Sequence, residues 1–201
     1  MGAHMQNLLN DLRNFRLSGI VNSLNDRLVY AQNNKLGFKE FLSLLCEDEK
    51  SNRKDNNYRR RRIAAKLPAT KNLEEFDFSF QPSIDAGVIN DLSTCSYINA
   101  KENIILIGDS GTGKTHLAIG LALKALAREY SVYFTTVSDM LYNLHIARAD
   151  NSYHKKVKQL LSFDLLIFDE LGFKQLPKHS VDDFFNIIAK RYENKSVEVK
   201  I

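Results

Sequence analysis

The octet Gly108-Asp109-Ser110-Gly111-Thr112-Gly113-Lys114-Thr115 constrains this chain more than any other feature. It satisfies the pattern G-x-x-x-x-G-K-[ST] at every fixed position. Three of the nine glycines fall inside it, and glycine lets a backbone turn so that successive N–H groups point at one anion. The apolar run Ile104 to Ile107 comes just before the octet, and helical apolar spacing from Leu117 to Leu126 comes just after. A strand feeding a helix through such a loop sets phosphate oxygens against the helix N-terminus. The spacing therefore predicts that Gly108 through Thr115 cradle phosphate. His116 reads as a residue of the first helical turn near the phosphates, not as a base.

The ligand this implies is ATP or ADP with Mg²⁺. Lys114 is placed for the β- and γ-phosphates and the Thr115 hydroxyl for the metal. A second element supports the reading. Leu165 to Phe168 is a short apolar run that ends in Asp169-Glu170. A buried strand closing on two carboxylates sets them at the carboxyl edge of a sheet, where ligands of such folds bind. Asp169 is then a candidate for holding Mg²⁺, and Glu170 for polarising an attacking water as general base. An acid in that place favours hydrolysis over transfer to a small second substrate. Lys114, Asp169 and Glu170 are the predicted catalytic set.

Between and around these two elements, strand-like and helix-like stretches alternate. Val132 to Thr136 reads as a strand, as does the segment from Val197 to Ile201. Helices are expected over 138–149, 152–161 and 181–192. Short continuous apolar strands separated by helices predict a parallel sheet covered on both faces. The first third reads differently. Leu8, Leu9, Leu12 and Phe15, then Ile20, Val21, Leu24 and Leu28, then Phe38, Phe41, Leu42 and Leu45 recur at helical spacing, with Ser18 as a cap of the second segment. The expected organisation is a small all-helical domain over 1–67, with 1–5 read as a tag scar. A linker over 68–83 and a nucleotide-binding α/β domain over 84–201 follow. In the linker, Phe76, Phe78 and Phe80 alternate and read as docking side chains, with adenine contact as the alternative; a short helix is expected around 84–95.

Charge divides the chain at the same place. Residues 1–72 carry 14 Lys and Arg against 7 Asp and Glu, a net of +7; residues 73–201 carry 14 against 17, a net of −3. A basic module beside a mildly acidic one suggests different partners for the two. Cys46 and Cys95 have no metal-ligand or redox spacing, and no apolar run is long enough for a membrane span. A reduced, cytoplasmic protein is expected.

Residues 108–125 and 165–173, followed by Ala189-Lys190-Arg191-Tyr192-Glu193, closely resemble the IstB-like group of AAA+ ATPases. Those are transposition helper proteins encoded beside an IstA-type transposase, related to the DnaC and DnaI helicase loaders. The likeness extends upstream through Glu40-Phe41-Leu42, the arginine run, residues 65–68 and residues 73–78, so it covers nearly the whole chain. It implies a P-loop NTPase fold of AAA+ type behind a small helical domain, self-association into oligomers on DNA, and control of a partner transposase by ATP. Asp109 stands where the family often has proline. The resemblance also implies a sensor-one residue and an arginine finger after the last strand. The sequence reaches Ile201 without them, so binding of ATP or ADP with weak turnover is expected. A helicase loader of the DnaC kind, with a replicative helicase as partner, is one alternative; a truncated nucleotide-binding module is the other.

Two basic clusters are DNA candidates. Arg59, Arg60, Arg61 and Arg62 are consecutive, so on a helix they fan around the axis and cannot all face one groove. Lys155, Lys156 and Lys158 lie on a helical segment between the second and third strands, with Arg148 beside them. The resemblance places that region on a DNA-facing surface. Tyr58 and Tyr153 are candidates for stacking or packing; His145 and His179 lack ligand partners at useful spacing.

Overall fold

The computed structural model describes residues 3–171, 178–192 and 195–200, with 178–180 and 198–200 as backbone only. Glu193, Gly172, Phe173 and Ile201, and the side chain of His179, lie outside the described residues. Nine helices and four strands occur among them. They fall into two units, residues 1–60 and 61–201.

In the first unit, α1 (Ala3–Asn14), α2 (Ser18–Asn33) and most of α3 (Phe38–Ala65) pack through part of the apolar stripes legible in the sequence, while Leu8, Phe15, Phe38 and Leu42 of those stripes are exposed. Leu9, Leu24 and Leu45 are buried, with Met5, Leu12, Ile20, Val21, Leu28 and Phe41 closing around them. The polar stretch after Leu45 does not interrupt α3, which runs 28 residues. The cap of α2 is not the expected one. Leu17 occupies the cap position with no side-chain hydrogen bond, and Ser18 is the first helical residue. Glu49, from α3, caps instead: its Oε2 accepts from the N–H groups of Gly19 at 2.7 Å and Ile20 at 3.3 Å. A carboxylate on those unsatisfied donors also suits the positive end of the helix. Beside it, Arg27 grips Asp48 through both of its oxygens at 2.8 and 2.6 Å. That guanidinium holds the Asp48 carboxyl down at about 2.

The second unit begins with the end of α3 and a connector carrying one 3-10 turn, Leu73–Glu75. Then come α4 (Ala86–Ser93), α5 (Ser96–Ala100), β1 (Ile104–Leu106), α6 (Lys114–Ala127), β2 (Val132–Thr136) and α7 (Val137–Ala149). The order continues with α8 (Tyr153–Ser162), β3 (Leu165–Asp169), α9 (Lys178–Tyr192) and β4 (Ser196–Lys200). The helix expected around 84–95 is α4, which stops at Ser93; Cys95 takes a left-handed conformation with φ +62°, and α5 starts anew beyond it.

The four strands form one parallel sheet in the order β1-β4-β3-β2. Leu166 and Phe168 enter the apolar core built with Met140, Leu144, Val157, Leu160 and Ile187, from α7, α8 and α9. Strand alternation turns Leu165 and Ile167 to the other face, where α6 packs. Helices thus cover both faces, as expected. The expectation of a buried first strand fails in part: β1 is an edge strand, with Ile104 buried but Ile105 59% and Ile107 75% exposed. An apolar run reads alike at the centre and at the edge of a sheet, so the sequence could not separate the two.

Two polar devices fix strand register below the site. Asp164 accepts from the Ser131 N–H at 2.9 Å and its hydroxyl at 2.7 Å, aligning the starts of β2 and β3. Arg191, fully buried, donates to the carbonyls of Leu160, Phe163, Asp164 and Ser196. One guanidinium therefore ties the end of α8 to the starts of β3 and β4.

Candidate functional site

The phosphate loop leaves β1 and enters α6 in a conformation that its glycines permit. Gly111 and Gly113 have φ +84° and +87°, where an L side chain is strained. Gly113 is also crowded: a Cβ there would lie 2.5 Å from the Phe76 ring. Lys114 opens α6 and is buried. Its ammonium donates to the carbonyls of Gly108 and Asp109, the latter at 2.6 Å, and approaches the Thr112 hydroxyl at 3.4 Å. These acceptors hold the ammonium against the loop.

Ser110 through His116 line a cavity of about 410 Å³ together with Glu170 and Lys71. The cavity thus brings together seven of the nine predicted loop residues and one of the two predicted carboxylates. Gly108 and Asp109 line an adjoining cavity of about 330 Å³ with Ile84, Ile105 and Ile107. Asp169 ends β3, buried, and its Oδ1 accepts from the Glu170 N–H at 2.7 Å. Glu170 itself has φ +59°, a sparsely populated conformation for a residue with a side chain. That turn exposes Glu170 to the cavity while Asp169 stays in the sheet edge beside Thr136.

Lys71 was not among the sequence candidates. It comes from the connector, 37 residues before the first loop residue, Gly108, and only the docking of that segment brings it here. The Asn72 carbonyl meets His116 Nε2 at 2.7 Å, Leu73 is buried against α6 at Gly120, and Glu74 pairs with Lys124. Phe76 stands edge-on to His116 and to Phe78, at centroid distances of 5.3 and 4.9 Å. Of the three connector aromatics, Phe80 does not bury: it is 75% exposed, lining with Phe76 a cavity of about 290 Å³ behind Gly111 to Gly113. His116 serves as the connector's anchor on α6.

Comparison with known proteins decides the family. Residues 10–200 match the IstB-like ATP binding protein family. The chain belongs to that family. The IstB-like chain is 37% identical over 168 residues to a protein named as the ATP-binding protein of insertion sequence IS5376 in Geobacillus stearothermophilus, the match covering 84% of this chain and 67% of that one. It is 35% identical over 190 residues to its counterpart of insertion sequence IS21 in Pseudomonas aeruginosa, covering 94% and 71%. Among solved structures, AMPPCP-bound DnaA from Aquifex aeolicus superposes with a TM-score of 0.60 at 22% identity, over 67% of this chain and 42% of DnaA. The DnaC helicase loader superposes with 0.54 at 22% identity, over 70% and 77%. The chain thus spans about two fifths of the DnaA chain it resembles. The fold is the P-loop AAA+ fold.

The basic candidates lie on helices that leave them accessible. Arg59 and Arg60 are exposed on α3, with Arg60 bonded to Asn57; Arg61 and Arg62 are half-buried, and Arg62 bonds Thr70. No ion pair among the described residues involves any of the four. On α8, Val157 and Leu160 face the core while Lys155 and Lys158 are exposed one turn apart and Lys156 is half-buried. Arg148 is committed elsewhere: it pairs with Asp183 at 2.7 Å and lies 4.1 Å from the Tyr153 ring centre. Tyr153 donates to the same carboxylate at 2.6 Å, and burial together with that carboxylate pushes its phenol above the usual range. Tyr153 is therefore a packing residue. No helix of the described residues is long and apolar enough to cross a membrane.

Proposed function

We propose that this IstB-like chain is an ATP-dependent helper of transposition that assembles on DNA as an AAA+ oligomer and controls a partner transposase of the IstA type. The observation that carries the reading is the single cavity joining Ser110 through His116 to Glu170. Family membership supplies the setting. Its relatives are named as ATP-binding proteins of insertion sequences, which supports transposition in preference to helicase loading, for which the likeness to DnaC offers fold alone.

In this reading the loop N–H groups and the N-terminal end of α6 receive the phosphates. Lys114 exchanges its hold on the loop carbonyls for phosphate oxygens. The donor set fits a magnesium ion held jointly by protein and nucleotide: a hydroxyl on Thr115, a carboxylate on Asp169, and oxygen chemistry throughout. Among the described residues no cluster of three or more His, Cys, Asp or Glu could hold a metal by itself, which suits an ion that arrives with phosphate. Bound there, Mg²⁺ neutralises charge on the phosphates. Glu170, at the cavity wall, takes the proton of the water that attacks the terminal phosphorus, as the bond from that phosphorus to the β-phosphate oxygen breaks and ADP leaves. The division of labour follows the charge: the helical domain of 1–67 and the α8 lysines meet DNA, and residues 84–201 hold nucleotide. The setting is the cytoplasm.

The test is to titrate duplex DNA with the full chain in the presence of Mg²⁺ with AMPPCP, with ADP, or with no nucleotide, and to follow complex size and transposase capture. Tight binding and larger complexes with AMPPCP alone, together with retention of the IstA-type transposase, are expected. Equal DNA binding in all three conditions would sink the reading, and capture of a replicative helicase in place of the transposase would replace it with the loader.

A further inference from the structure

We infer that Lys71 is a second cation of the phosphate site and that it makes the site prefer a nucleoside triphosphate to a diphosphate. The inference rests on the nucleotide reading above and adds a residue to it. Lys71 lines the same cavity as the loop and Glu170. Other lysines nearby are engaged: Lys114 with the carbonyls of Gly108 and Asp109, and Lys124 with Glu74. Among the described residues no hydrogen bond or ion pair engages Lys71, an exposed residue of the cavity wall.

Charge decides where that ammonium matters. The cavity holds two lysines, Lys71 and Lys114, and one carboxylate, Glu170. The loop and Lys114 lie at the α6 end, so the terminal phosphate of a triphosphate extends toward Glu170. An ionised phosphoryl group beside a carboxylate is repelled, and a cation in the same cavity offsets that repulsion. A diphosphate stops short of Glu170 and needs no such help. Lys71 therefore acts on the one phosphoryl group that differs between the two nucleotides.

The connector holds the chain beside Lys71 against the loop. Asn72, next to Lys71, meets His116, next to Thr115, at 2.7 Å. Leu73 is buried against Gly120 and Phe76 lies against Gly113. The loop and the connector are thus joined at adjacent residues, and His116 acts as a positioning residue for Lys71.

The experiment is calorimetric titration of the full chain with AMPPCP and, separately, with ADP, both with Mg²⁺, for wild type, Lys71→Met, Lys71→Arg and His116→Ala. A lost charge-assisted contact should weaken AMPPCP binding by about tenfold in Lys71→Met and leave ADP binding within about twofold. Lys71→Arg should restore most of the difference, and His116→Ala should reproduce part of the loss for AMPPCP. Equal effects on both nucleotides, or none, overturn the role of Lys71 while leaving the nucleotide site intact. Binding of neither nucleotide by wild type overturns the nucleotide reading and this inference with it.

Discussion

At the scale of single residues, the proposed roles separate side chains that hold phosphate from the one that acts on water. If Glu170 is the base, Glu170→Gln keeps nearly the same shape and hydrogen-bonding reach but cannot take a proton. Turnover should fall by about 10²-fold or more, with AMPPCP affinity unchanged within about threefold; a steady-state phosphate assay beside a binding titration checks both. Preserved turnover would move the base elsewhere. The loop glycines offer a cleaner contrast. Gly111 and Gly113 share nearly the same φ, +84° and +87°, but a Cβ on Gly111 meets nothing within 4 Å while one on Gly113 meets Phe76 at 2.5 Å. Gly111→Ala should cost only the left-handed backbone penalty, about 1 kcal/mol. Gly113→Ala adds the clash and should cost at least about 2 kcal/mol, with loss of nucleotide binding. Urea melts of the two variants decide it, and equal costs would mean that the connector yields freely at Phe76.

At the scale of elements, what the sequence reveals is what lies within one element. The octet and Asp169-Glu170 are legible because each functional group sits at the end of its own strand, so periodicity and adjacency are enough. The cap of α2 is not legible, since Glu49 comes from another helix 30 residues on. Lys71 is hidden for the same reason: the Asn72–His116 contact that places it spans 44 residues. The α2–α3 contact carries a pH signature. Asp48 is held at about 2 by Arg27, below its ordinary 3.8. A depressed carboxyl contributes stability that is complete above its unfolded value and is lost as pH falls through its folded one. The stability of the helical unit should therefore decline between pH about 4 and about 2, and Asp48→Asn should flatten the decline in a helicity-monitored acid titration. Helix α8 makes a second element-level claim. Lys155 and Lys158 are exposed one turn apart, so replacing either with alanine should reduce the salt slope of DNA binding by about one ion. The half-buried Lys156 should change it less. An unchanged slope in the Lys155/Lys158 double variant would take α8 off the DNA-facing surface.

At the scale of the whole second unit, the question is what keeps the carboxyl edge of the sheet in register beneath the cavity, and the answer is a charged residue in an apolar stripe. Phe184, Ile187, Ile188 and Arg191 recur at helical spacing on α9, and all but Arg191 are apolar residues packed in the core. An arginine on such a stripe was the available signal that its head group is used internally. Its charge is dearly kept: desolvation lowers its pKa to about 10, and its Nε has no acceptor. What offsets that desolvation is the set of four carbonyls at the ends of α8, β3 and β4 that the guanidinium reaches. Lys195 adds a contact at the same corner, binding Asp164 at 2.6 Å. Arg191→Met would fill much of the same volume while removing every donor, leaving those carbonyls buried and unpaired. The expected cost is about 3 kcal/mol or more, read from the urea midpoint of the full chain. Arg191→Lys, with one compact ammonium for four dispersed acceptors, should recover only part of it. The strands it joins carry Asp169 and Glu170, so hydrogen exchange in β3 should quicken in Arg191→Met under native conditions. Faster exchange confined to α9, with β3 as protected as in wild type, would show that Arg191 serves its own helix and not the edge on which the site is built.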